Sequence, residues 1–129
     1  MEAQAAFEEA VRRGATPFQP GKQGACDLSL PAIYGIGDSL IYLVDRYEDA
    51  ALDGPTIYDI DFLTLPGADP APTGVGLTYV DHLTHNVYRG RMNDWADFYE
   101  RLFGFREMRH FDIEGKLTGL RSRAMTSPC

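Results

Sequence analysis

The hydrophobic pattern between Leu77 and Phe105 changes period once, and the change predicts two elements in series. From Leu77 to Val87 the chain alternates in steps of two, which predicts a strand. Leu77, Tyr79, Asp81, Leu83, His85 and Val87 share one face; Thr78, Val80, His82, Thr84 and Asn86 share the other. The first face is mostly apolar and suits packing under a helix, while the second is polar and suits a lined cavity. His82 and His85 point opposite ways on such a strand, so only one of them can enter a given site. The polar face selects His82. Trp95, Phe98, Tyr99 and Leu102 then recur at i, i+3, i+4 and i+7, the stripe of an amphipathic helix whose apolar side is core. Asn93 or Asp94 is placed to cap its first turn, and Gly104 to end it in a left-handed residue. Phe105 to Ile113 and Leu117 to Met125 read as strands about a turn at 114–116, with Thr118, Leu120, Ser122 and Ala124 on one face.

The first half is more broken. Glu2 to Arg13 reads as a short helix striped by Phe7, Ala10 and Val11 and stopped by Gly14. Pro17, Pro20, Gly21 and Gly24 mark a connection, after which Asp27 to Leu30 alternates like a strand until Pro31, Gly35 and Gly37 interrupt it. Ser39 to Val44 is a continuous branched and aromatic run, as in a buried strand. Residues 45–53 form an acidic, solvated loop. Thr56 to Leu65 alternates Tyr58, Ile60 and Phe62 against Asp59 and Asp61, predicting a strand with one wet face. Residues 66–74 hold three prolines and two glycines in nine positions, so a linker is placed at 66–75 between units at 1–65 and 76–129. The first unit runs helix then strands; the second runs strand, helix, strand, strand. Each is read as an incomplete βαβββ module of an α+β fold, and the chain as a piece of a longer polypeptide.

Composition narrows the function class. The 129 residues suit a globular chain with a real core, being 44% hydrophobic and 12% aromatic. A net charge of −7 argues against nucleic acid or an anionic membrane as partner. No run of eighteen apolar residues is present, and the acidic start lacks a signal peptide's pattern. Two cysteines, Cys26 and Cys129, make no disulfide framework, which points to a reducing cytoplasm. Arg89 and Arg91, flanking a helix start, read as surface charge, and Tyr34-Gly-Ile-Gly37 lacks a phosphate loop's spacing.

Val80-Asp-His-Leu-Thr-His-Asn-Val87, Arg89 to Phe105 and Phe111 to Met125 together resemble the first metal-binding module of the 4-hydroxyphenylpyruvate dioxygenase family. Leu30 to Gly37 and Ile57 to Phe62 are similar to the end of that family's amino-terminal domain. The resemblance spans nearly the whole chain and implies the vicinal oxygen chelate superfamily, built from βαβββ modules. It implies Fe(II) held by two histidines and a carboxylate, with coordination positions left for an α-keto acid and O2. The product implied is homogentisate with release of CO2, a step of tyrosine and phenylalanine breakdown. His82 matches the first histidine ligand and Ser122 a serine of the substrate pocket. The second histidine and the carboxylate belong to a module that has no counterpart here, so the chain alone is expected to be inactive. The parent is expected to be a homo-oligomer.

Two other readings stand beside this one. 4-Hydroxymandelate synthase resembles the same stretches and takes the same substrate. A non-catalytic ligand-binding module of the superfamily would have to dimerise through its open sheet edges. A glyoxalase-like isomerase needs further ligands, for which Glu107 and Glu114 are the nearest candidates. His85 and His110 read as structural and exposed residues respectively.

Overall fold

The computed structural model describes residues 2–19, 30–46, 55–69, 72–115 and 119–128. The expected strand at 27–30 lies, but for Leu30, outside them, as do most of the 45–53 loop and both cysteines.

The first element is the expected helix, α1, over Ala3–Arg12. Its last turn is acid–base paired, with Glu9 accepting bonds from Arg12 and Arg13 at 2.6–2.7 Å. Gly14 follows at φ 93°, a left-handed geometry that a side chain resists. The backbone then crosses to a hairpin of two short antiparallel strands, β1 (Ala32–Tyr34) and β2 (Leu40–Tyr42). Pro31 and Gly35 bound β1 rather than excluding it, since Pro31 precedes the ladder and Gly35 opens the turn. The Gly35 amide donates to the Ser39 carbonyl at 2.7 Å, and Gly37 and Asp38 take φ of 62° and 60° to complete the reversal. Thr16 and Phe18 bond to the free side of β1, at Tyr34 and Ala32.

Residues Ile57–Asp61 form a helix, α2, and not the expected strand. Two devices override the alternation. The Thr56 backbone N–H and hydroxyl both donate to the Asp59 carboxylate at 2.8 Å, satisfying a helix-start donor. Tyr58 and Phe62, four apart, then stack at 5.5 Å, a contact that helical spacing supplies.

The second half holds α3 (Met92–Phe103), β3 (Arg106–Glu114) and β4 (Gly119–Thr126). Gly104 ends α3 at φ 70° as expected. The start differs: Arg91 is the residue before the first turn, and no side chain caps it. Asp94 instead pairs with Arg91 at 2.9 Å, and Asn93 accepts a bond from Arg123. β3 and β4 pair antiparallel with Phe111 opposite Ser122 and a bulge between Glu107 and Arg109.

The core is small and joins both halves. Ala10, Ala15, Ile33 and Leu102 are buried together, with Phe7, Ile41, Phe98 and Phe103 packed against them. Two reciprocal bonds close this contact: Arg13 donates to the Leu102 carbonyl at 3.1 Å, and Arg101 to the Arg13 carbonyl at 2.7 Å. Each arginine thus satisfies a carbonyl at the other helix's carboxyl end, where cations are favoured.

Candidate functional site

The expected strand at 77–87 is not formed: these residues join no sheet ladder among the described residues. A strand exists through its neighbour, and alternation alone supplies none. Leu77, Tyr79, Val80 and Leu83 are correspondingly 74–90% exposed. Without a ladder, strand alternation does not set the direction of His82. Asp81, which strand geometry would turn away, holds the His82 Nδ1 at 2.7 Å, leaving Nε2 as the outward ring nitrogen. His85 does meet α3, its ring lying edge-on to Tyr99 at 6.1 Å. Tyr99 sits among Phe98, Phe103 and Phe105, and this burial pushes its hydroxyl pKa up.

Ser122 is partly buried on β4 and opposite Phe111. Its neighbour Arg123 is the anchor of the hairpin: it donates twice to Glu107 and once to Asn93 at 2.9 Å. His110, opposite Arg123, lies 3.9 Å from Glu107. These groups tie the hairpin to the start of α3, a role that residue spacing did not disclose. The signal available was the like face shared by Glu107 and Arg123 once the two strands are paired.

No hydrogen bond or ion pair joins His82 to Ser122, and no group of three His, Cys, Asp or Glu converges, among the described residues. His82 suits a metal as a single donor whose far nitrogen a carboxylate orients. The described residues do not complete a metal centre. An open cleft of about 510 Å³ between the two halves is bounded by Gly14, Tyr34, Asp38, Trp95 and Arg101, and neither His82 nor Ser122 lines it.

Comparison with known proteins decides the relationship. The family profile described as "Hydroxyphenylpyruvate dioxygenase, HPPD, N-terminal" matches residues 1–63. A 4-hydroxyphenylpyruvate dioxygenase of a Pseudomonas species is 54% identical over 127 residues, 98% of this chain and 34% of its own length. By sequence, the chain resembles the 4-hydroxyphenylpyruvate dioxygenases over nearly its whole length. The enzyme of that name from Pseudomonas aeruginosa is 59% identical over 103 residues, 80% of this chain and 28% of its own. Hemolysin VllY of Vibrio vulnificus is 52% identical over 131 residues, the whole of this chain and 35% of its own. The chain therefore spans about a third of the length of the curated relatives it matches. The mixed α+β architecture with small antiparallel sheets agrees with the glyoxalase-like, vicinal oxygen chelate character of this family. Among the described residues no helix is long and apolar enough to cross a membrane.

Proposed function

We propose that the protein containing this chain converts 4-hydroxyphenylpyruvate and O2 to homogentisate and CO2, with Fe(II) as its metal. The supporting observation is the 54% identity to a named 4-hydroxyphenylpyruvate dioxygenase across 98% of the chain. Scattered similarity in one motif would not carry this; near-continuous similarity through both the β1–β2 region and the α3–β4 region does.

In this reading His82 contributes one neutral imidazole donor through Nε2, with Asp81 orienting the ring. The other donors come from outside the described residues, so iron is held jointly and the chain alone does not bind it tightly. Ser122 contributes a hydroxyl to the substrate pocket. The 66–75 segment separates a module ending at 65 from one beginning at 76, and the helix of the second buries Leu102 against the first. The partners are the α-keto acid and O2, in a cytoplasmic homo-oligomer.

The test is a chimera of the Pseudomonas enzyme in which this chain replaces the matched third. Homogentisate formation with stoichiometric O2 uptake is expected, and its loss in His82→Ala. A folded chimera without turnover, or full turnover in the His82→Ala form, refutes the reading.

A further inference from the structure

The pairing of β3 with β4 sorts their side chains onto two faces of opposite character. Directly opposed residues share a face, and residues alternate along each strand. One face holds Glu107, His110 and Asp112 of β3 with Arg121, Arg123 and Met125 of β4. Arg123 reaches both Glu107 and Asn93 from there, and Arg121 pairs with Asp112 at 3.2 Å. This face is charged, and its bond to Asn93 shows that it looks toward α3.

The other face consequently looks away from α3. It carries Phe111 and Ile113 of β3 against Ser122 and Leu120 of β4, with Arg109 opposite Ala124 at the end nearer the bulge. Phe111 is 40%, Ile113 57% and Leu120 58% exposed, so beyond Arg109 the face is an apolar patch left largely open among the described residues. Ser122 interrupts it with one hydroxyl, and Phe111 is the residue directly across the ladder. An apolar surface with a single hydroxyl set into it fits a ring that is apolar over its body and polar at one edge, as a hydroxyphenyl group is. Ring-on-ring packing is favoured beyond the area it buries, a gain that an aliphatic chain does not share.

We infer that Phe111 is a specificity-determining residue: its ring packs on the hydroxyphenyl ring of the substrate beside Ser122. The inference rests on the dioxygenase reading, and goes beyond it by naming the side chain that distinguishes an aryl from an alkyl α-keto acid. Arg123 is a positioning residue in this scheme, since its bonds to Glu107 and Asn93 fix which face of β4 meets the ligand.

Kinetics of the chimera test this. Phe111→Ala is expected to raise KM for 4-hydroxyphenylpyruvate about tenfold or more, the span of one apolar contact in a pocket. The change in kcat should stay within about threefold, because uniform binding and not the reacting geometry is lost. Inhibition by 4-methyl-2-oxopentanoate, an α-keto acid without a ring, should be unchanged. Phe111→Tyr should restore KM to near the parental value, with Phe111→Leu intermediate; these two remain informative if the alanine variant does not fold. An unchanged KM in an active Phe111→Ala or Phe111→Leu chimera overturns the inference and leaves the dioxygenase reading standing. Equal weakening of the aryl and alkyl ligands also overturns it, since that is a general loss of site shape. An inactive but folded parental chimera overturns both.

Discussion

Leu102→Ala probes the contact that makes one body of the two halves. Leu102 is 4% exposed and lies in a cluster with Ala10, Ala15 and Ile33, the last fully buried. Removing three buried carbons from a Leu site typically costs 2–5 kcal/mol, the upper values belonging to rigid, enclosed cores. Here the buried cluster among the described residues has four members, two of them alanines, and partly exposed Phe98 and Phe103 can lean into the gap. The expected loss is therefore about 2–3 kcal/mol, near the low end of that range. Urea unfolding followed by the fluorescence of Trp95, which lies on α3, measures it directly. Leu63→Ala is the control, since Leu63 is 96% exposed and its loss should be within about 0.5 kcal/mol of zero. A second step gives the interaction itself. Ile33→Ala and Leu102→Ala belong to opposite sides of the 66–75 segment, and a double-mutant cycle should return a coupling of at least ~0.5 kcal/mol. If Leu102→Ala costs no more than Leu63→Ala, or the cycle is additive, the halves do not share a core and the packing described above is wrong.

Further perturbations address other parts of the molecule. Gly14→Ala places a Cβ at φ 93° and against the Arg101 guanidinium, displacing its bond to the Arg13 carbonyl; a loss of about 1–2 kcal/mol in urea melts is expected, and a neutral result contradicts the left-handed turn. Glu9 is held down to about 2 by hydrogen bonds from Arg12 and then Arg13, below its unfolded value of 4.5. A depressed carboxyl contributes stability above its unfolded pKa and loses it as pH falls toward the folded one, so the helical circular-dichroism signal should weaken between about pH 4.5 and 2. Glu9→Gln should remove part of that dependence; identical acid titrations of the two proteins would disprove the pairing. Anaerobic Fe(II) titration of the 129-residue chain should give only weak binding, because one imidazole does not hold the ion. Tight binding abolished by His82→Ala would show instead that copies of the chain assemble a complete site.

How much of this was legible beforehand differs element by element. α1, α3, β3 and β4 lie within a few residues of where periodicity and glycine placed them. Their signals are local: a stripe repeated every turn, a glycine at a left-handed position, alternation beside a turn. β1 was hidden because three residues between Pro31 and Gly35 are too few for a pattern, and only the ladder to β2 reveals them. At 56–65 two local signals conflicted. Tyr58, Ile60 and Phe62 alternate as in a strand, yet Thr56 and Asp59 are spaced to start a helix, and the hydrogen bonds won. The cap of α3 went the other way, with Asn93 drawn off to Arg123, thirty residues on.

The candidate site divides along the same line. Alternation and the family resemblance together marked His82, and the resemblance alone marked Ser122; neighbouring or periodically spaced positions determined α1, α3 and the β3–β4 hairpin, but not α2. Residue order did not determine that Asp81 turns back onto His82, that Arg123 binds Glu107 and Asn93, or that Leu102 meets Ile33. Apart from the adjacent Asp81 and His82, these contacts join residues whose separation along the chain carries no information about their distance in space. Strand pairing and helix packing alone set them, and with them which face of β4 is left open beside Ser122 and Phe111.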